Sequence, residues 1–343
     1  MPYAETKVYF DGSHYIAIPH TTKPLKPKHY HVEDVIEVKD DTEQESSSAQ
    51  TLENMPADEQ ISSADKEFEE ITNGPTKQEE KPKTVRKMTK KELFDELYQK
   101  CLSKKRRERR QYILKAMLPY FKSQEQAETY IDVNLDRKLR NLICRRIRMC
   151  RKANLQDFNY FCTFTYDDTK HTEESFKKTL KITLTTFHTR KGWKYIGVWE
   201  RSPIKQRLHF HGIFYIPEGT MPPFLFKDDT YSFSQHKRQV TVQNMYFQER
   251  FGRNSFEMIA NRRKLGDAMA YILKYIEKSG ERIVYSKGLP QFFISDIMDE
   301  DVICTIGMED KKLLLFDDFI CWDEGCYMGK VSPEVIEQMR KSN

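Results

Sequence analysis

The amino-acid sequence predicts an α+β protein whose central element is a β-sheet. Three observations carry this. Downstream of Phe158 the apolar pattern runs strand, helix, strand, strand, helix, which suggests a sheet with helices on one side. Upstream, residues 89–152 show helical spacing with Lys and Arg on the remaining faces. Ahead of both, a polar acidic stretch lacks any periodicity, so the polar part of the chain is segregated from the part that can build a core.

Taken in order, residues 7–18 (KVYFDGSHYIAI) predict a short hairpin turning at Asp11-Gly12. The following KPLKPKHYH reads as an extended segment broken by proline; its His29 and His31 lack apolar alternation around them and read as a chance pair. From Glu33 to Pro82 there are 16 acidic and 4 basic residues. Such a segment cannot bury enough area to offset its ordering entropy and reads as a disordered linker. Helical periodicity then appears at Leu93 and Leu97, at Ile113 and Met117, and at Leu135, Leu139, Leu142 and Ile147. FNYFCTFTYDD, WKYIGVWE and RLHFHGIFYIP read as strands, with the helix SFKKTLKITLTTFHTR between the first two. Residues 217–262 read as polar loop and 264–279 as a helix. IVYSKG, QFFISDI, DVICTIG and KKLLLFDDF read as short strands or turns. The expected divisions are 1–32 (hairpin and extended segment), 33–83 (linker), 84–157 (basic helical region), 158–280 (core) and 281–343 (C-terminal extension).

The whole chain carries +5 and the acidic stretch −12, which leaves +17 for the remainder. The densest basic runs are KKRRERR and RKLRNLICRRIRMCRK, so Arg106, Arg107, Arg109, Arg110, Arg145, Arg146 and Arg148 are candidate contacts to a nucleic-acid backbone. The alternative for these runs is a set of solvated helix faces. The N-terminus lacks the pattern of a signal peptide, and no run is long and apolar enough to span a membrane, which predicts a cytoplasmic protein with no membrane partner. Seven scattered cysteines without a CxxC pair argue for reduced thiols; the spacing of Cys304, Cys321 and Cys326 does not suit a zinc site.

Two histidines two residues apart share one face of a strand, so His209 and His211 point the same way while Phe210 and Phe214 point into a core. Such a pair can be metal ligands, acid/base groups or packing. Glu200 ends the preceding strand, and a short connection makes the two strands antiparallel neighbours. A carboxylate there can join the imidazoles, and two nitrogen ligands with one oxygen ligand suit a catalytic divalent ion, Mn²⁺ or Mg²⁺ where phosphate is the substrate.

On a helix through 265–280, with Tyr271 set at zero, Tyr275 falls at about 40°, Asp267 at about −40°, Lys278 at about −20° and Lys274 at about −60°. Leu265, Met269, Ile272, Leu273 and Ile276 occupy the other side. The polar face therefore carries two tyrosines with lysines beside them. That pattern points to a phenol attacking phosphate, with the lysines favouring the phenolate. The product is a phosphotyrosine ester that preserves the bond energy, and two tyrosines one turn apart allow two successive transfers. Asp267, Thr163 and Thr165 are expected to support this group from beside it.

YFCTFTYDD, then Glu200 and His209-Phe210-His211, then YILKYIEK resemble the three motifs of HUH endonucleases, in the order of rolling-circle replication initiators of single-stranded DNA phages and plasmids. The third motif, Tyr-x-x-Lys, is met twice, as Tyr271 with Lys274 and Tyr275 with Lys278. The resemblance covers 158–280. It implies a five-stranded antiparallel, ferredoxin/RRM-like sheet with packed helices. It also implies metal-dependent nicking of single-stranded origin DNA, a 5′-phosphotyrosine link and a free 3′-OH primer. No G-x-x-x-x-G-K-[ST] loop is present, so no nucleotide cofactor is expected; unwinding and extension would fall to a host helicase and polymerase, in a bacterial cytoplasm. The alternatives are a single-tyrosine HUH transposase and a non-enzymatic nucleic-acid binder. A nucleotide hydrolase of the HIT type would need a histidine where Ile213 stands, and a cupin a carboxylate nearer than Glu218.

Overall fold

The structure, a computed structural model, describes residues 2–19, 35–39, 85–202, 206–232, 236–279, 282–306 and 312–343. β1 (Tyr3–Phe10) and β2 (Tyr15–Ile18) form the expected hairpin, with Gly12 at φ +100° in the turn. β3 (Val35–Lys39) pairs antiparallel with β4 (Val85–Thr89). Then come α1 (Lys90–Lys100), α2 (Arg106–Met117) and the 31-residue α3 (Gln124–Asn154). A reciprocal Thr89–Glu92 capping box starts α1, and Ser123 caps α3. β5 (Tyr160–Thr165), α4 (Glu173–Lys191), β6 (Lys194–Arg201) and β7 (Leu208–Tyr215) follow. β8 (Leu225–Ser232), β9 (Lys237–Asn244), α5 (Met245–Arg250), β10 (Asn254–Met258) and α6 (Arg262–Ser279) come next. The remainder is β11 (Val284–Tyr285), β12 (Phe292–Ile297), β13 (Val302–Ile306), β14 (Lys312–Leu315), β15 (Ile320–Asp323), β16 (Cys326–Lys330), α7 (Pro333–Gln338) and β17 (Lys341–Ser342).

The α+β class holds. The central sheet has the order β10-β5-β7-β6-β11 with antiparallel neighbours throughout. Its strands alternate, so each face carries its own apolar set. Phe164, Phe210 and Phe214 meet Phe176, Leu180, Leu184 and Phe187 of α4 on one face. Ile196, Val198 and Ile213 meet Met149 and Ala153 of α3 and Ile272 and Ile276 of α6 on the other. Helices thus cover both faces, where the sequence reading put them on one. The histidine face is polar at one end only; beyond His211 it is aliphatic and needs cover.

Gly197 and Gly212 sit directly opposite each other in β6 and β7. A Cβ on Gly197 would lie 2.9 Å from the His211 carbonyl oxygen and would collide with the Phe210 ring; one on Gly212 would lie 2.9 Å from the Phe214 ring. The glycine pair is the space into which these two rings fold over the sheet.

Four further expectations are corrected. Residues 217–262, read as loop, contain the β8–β9 ribbon, α5 and the edge strand β10. The acidic stretch read as disordered includes strand β3, whose Val38 and Ile36 pack with α1, α2 and α3; most of the rest of that stretch, like His29 and His31, lies outside the described residues. The segments 1–32 and 281–343, divided in the sequence reading, share one six-stranded sheet of order β13-β14-β2-β1-β12-β17. Leu139 and Ile147 of α3, expected on its apolar seam, are exposed; the seam is made by the buried Ile131 and Met149 together with the expected Leu135 and Leu142, which are half-buried. Among the described residues no helix is long and apolar enough to cross a membrane.

Gly197→Ala should destabilise the fold by about 1–3 kcal/mol through overpacking against a backbone carbonyl and an aromatic ring. Thermal unfolding checks this; an unchanged melting temperature would show that the Phe210 ring has room to move.

Candidate active site

The β6–β7 register places Glu200 opposite His209 and Val198 opposite His211. On the other side of β7, Thr165 stands opposite His209 and Thr163 opposite His211. Residues directly opposite each other share a face, so five polar side chains gather at one end of the sheet. The Thr165 hydroxyl lies 2.8 Å from His209 Nδ1 and the Thr163 hydroxyl 3.0 Å from His211 Nδ1. A threonine hydroxyl can donate to or accept from Nδ1, so either ring tautomer is held in orientation. The Glu200 carboxylate bonds His211 Nε2 at 2.8 Å, and both side chains are nearly buried.

α6 brings its tyrosines onto this face. The Tyr271 ring meets His211 edge-on with centroids 5.2 Å apart, and Tyr275 stacks on the same imidazole at 5.7 Å and 12°. The two tyrosine rings are 4.8 Å apart, and Phe161 backs Tyr271 at 5.5 Å. The Tyr275 hydroxyl bonds both Tyr271 and Glu200. His211, Glu200, Tyr275 and Tyr271 therefore form one connected polar set. Tyr271 is 39% exposed, at a cleft of about 1410 Å³ that the whole group lines.

The electrostatics differ from the expectation that lysines favour the phenolate. Burial holds the Tyr271 hydroxyl above the usual phenol range, with a smaller opposing effect from its bond to Tyr275. Burial raises Tyr275 much further, helped by its bonds to Tyr271 and Glu200. Lys274 is exposed on α6 and does not line the cleft; the Lys278 side chain lies outside the described residues. The cleft's lysine on α6 is Lys264, one of the residues the sequence reading missed. At about 20° from Tyr271 on the same helical projection it falls between the two tyrosines. Asp267 lines the cleft as well. Lys170, Arg207 and Arg253 also line it and were missed. Arg207 was legible by alternation, two residues before His209. It pairs with Asp168 and lies 5.5 Å over the Tyr166 ring.

Two imidazoles and a carboxylate are the right donor types for a divalent ion, and the threonines orient the imidazoles as a supporting shell would. As they stand, the side chains form a hydrogen-bonded set: the Nε2 that His211 would offer a cation is held by Glu200. Among the described residues no three His, Cys, Asp or Glu side chains are arranged to hold a metal ion. Glu200 would have to turn from His211 for the three to share one.

The seven candidate arginines lie elsewhere, and none lines the cleft. Arg109 donates to the carbonyls of Cys101, Leu102 and Lys104 and so closes the end of α1. Arg110 bonds Asp132 at 2.7 Å and Glu128 at 3.3 Å, and Arg106 pairs with Asp136 at 3.6 Å, which ties α2 to α3. Arg107, Arg145 and Arg148 are exposed, and Arg146 is half-buried. Part of the basic run thus serves packing between helices, because α3 presents acids to α2.

His209 is held neutral well below the ordinary histidine range, at about 4, first by burial and then by the neighbouring His211. The unfolded chain takes up a proton near pH 6.5 and the folded chain not until about pH 4, so stability is full above the first value and falls between the two. The melting temperature of the wild type should drop more between about pH 7 and 5 than that of His209→Asn. Parallel curves for the two proteins would show that this imidazole titrates as it does in the unfolded chain.

Residues 159–280 match the family model described as replication-associated protein ORF2/G2P. No curated protein and no solved structure matches the chain. The matched residues run from the start of the central sheet through α6 and contain every side chain of the polar set, so the similarity supports a place for this segment among replication-associated proteins.

Proposed function

We propose that the chain is a rolling-circle replication initiator that nicks and rejoins single-stranded DNA through a 5′-phosphotyrosine link. The observation that carries this reading is the seating of Tyr271 and Tyr275 on His211, at the floor of a cleft with Lys170, Arg207, Arg253 and Lys264 in its lining. The similarity of residues 159–280 to replication-associated proteins supports it independently.

Tyr271 is the nucleophile in this reading, because its ring is the more exposed and its hydroxyl is hydrogen-bonded to Tyr275. Its oxygen attacks the scissile phosphorus as the bond to the 3′ oxygen breaks. The 3′ oxygen leaves and takes a proton from water, becoming the free hydroxyl. The proton from Tyr271 has an acceptor in Glu200, reached through Tyr275. Tyr275 positions the attacking oxygen and becomes the second nucleophile only if the connected set rearranges. His209, His211 and Glu200 are the residues that would hold Mn²⁺ or Mg²⁺, whose chemistry there is to withdraw charge from the phosphate. Lys264 is the cation placed to neutralise that phosphate. Two tyrosines on one imidazole favour an initiator over a single-tyrosine transposase. Unwinding and extension of the primer belong to a host helicase and polymerase.

Labelled single-stranded DNA from the protein's own replicon, incubated with Mn²⁺ and run on a denaturing gel, should give a covalent protein–DNA band. Tyr271→Phe and His211→Ala should abolish it; Tyr275→Phe should retain it at a rate lower by roughly 10²-fold, the usual weight of a positioned proton-transfer group. A band that survives in Tyr271→Phe moves the nucleophile to Tyr275. No band in the wild type, with DNA still bound, leaves a binding protein.

A further inference from the structure

The β8–β9 ribbon turns polar side chains to the cleft and leaves large apolar ones in water. An exposed two-stranded ribbon ordinarily turns its apolar side to the body of the protein and its polar side to water. Here Asp228, Gln239, Thr241 and Gln243 line the cleft, while the far side mixes Leu225, Tyr231 and Val240, exposed at 47%, 49% and 64%, with the charged Lys227, Asp229 and Arg238. The register explains the sorting: Asp228 stands opposite Thr241, and residues 239, 241 and 243 follow at period 2.

The ribbon is held in place at its base. The Asn244 backbone N–H donates to Asn254 Oδ1 at 2.8 Å, and the Asn254 backbone N–H to Gln243 Oε1 at 3.2 Å. Gln243, Asn244 and Asn254 are all buried, and Asn254 opens β10, the edge strand beside β5. The Gln243 amide in turn donates to Asp228 Oδ2, which fixes the carboxylate on the cleft side.

The cleft's chemistry is divided by element. Its cations come from the loop after β5 (Lys170), the approaches to β7 and β10 (Arg207, Arg253) and α6 (Lys264). Among the described residues, the ribbon contributes amides, a hydroxyl and a carboxylate to the lining, and no cation. Phosphates are drawn to the first group; a carboxylate beside a nucleic acid repels phosphate and can only accept from a base. We propose that the β8–β9 ribbon reads the sequence of the single strand in the cleft, with Asp228 accepting from the amino group of a cytosine, adenine or guanine and Thr241 beside it contacting the same or the next base. Gln243 positions Asp228. This rests on the reading of the cleft as a site for single-stranded DNA.

The test is a selection of bound sequences from a random single-stranded DNA pool with the full chain, followed by affinities for the enriched and a scrambled oligonucleotide. For the wild type, enrichment of one base bearing an amino group is expected at one position. Asp228→Asn should reduce the ratio of enriched to scrambled affinity about tenfold, the scale of one lost base contact, and should change the base preferred there. Lys264→Ala should weaken both oligonucleotides alike and reduce the salt slope by about 1. Melting temperatures of the variants report on folding. An unchanged ratio in Asp228→Asn, an equal loss on both oligonucleotides, or a wild type that enriches no sequence overturns the proposal while the nicking reading stands. A wild type that binds no single-stranded DNA overturns both.

Discussion

The site depends on a single register, that of β6 against β7. Side chains on a strand alternate faces, so a slip of one residue would send both histidines to one side of the sheet and Glu200 to the other. The same slip would part Gly197 from Gly212 and leave the Phe210 and Phe214 rings without their space. Packing on the α4 face therefore fixes the chemistry on the α6 face. The aromatic cluster of Phe164, Phe176, Phe210, Phe214 and Phe247 sets the position of a carboxylate that it never touches.

The tyrosines depend on a second constraint. α6 is placed by Met269, Ile272 and Ile276 against the aliphatic part of the sheet, and by α3, which packs beside it. α3 also enters the cluster of α1 and α2 through Ile131 and Leu135. Its Arg151 bonds Asp11 at 2.7 Å and lies 4.2 Å over the Tyr9 ring, while the buried Lys152 donates to the Leu289 carbonyl at 2.9 Å. One helix thus joins the three apolar clusters around the site, and the tyrosine helix rests against it.

The polar set was legible because each of its members obeys a period. His209, His211 and Glu200 follow the strand period and a short connection, and Tyr271, Tyr275 and Asp267 the helical one. What escaped the sequence either lacks a period or has the wrong sign of one. The β8–β9 strands present polar residues inward, so a search for buried apolar alternation passes over them. Arg109 and Arg110 looked like ligands for phosphate because their partners, a helix end and acids on α3, are set by tertiary packing. Lys274 and Lys264 were exchanged because a sequence motif names a lysine, whereas the cleft selects one by its angle on the helix. The raised tyrosines could not be foreseen, since burial beside Glu200 arises only when α6 docks.

The pairing of β1 with β12 has a consequence for how the chain is made. The Glu5 amide bonds the Asp296 carboxylate across 291 residues of sequence. Synthesis delivers the β1–β2 hairpin long before β12, with Val8, Phe10, Tyr15 and Ala17 lacking the partners that bury them later. The central sheet, whose pairings are complete by β11, emerges whole in the interval. Domains fold as units during translation, and distant strand pairings form late. The central sheet can therefore assemble on the ribosome while an unsatisfied apolar hairpin waits for its last strands. During that interval the hairpin, rather than the site, is the part of the nascent chain that a chaperone would shield.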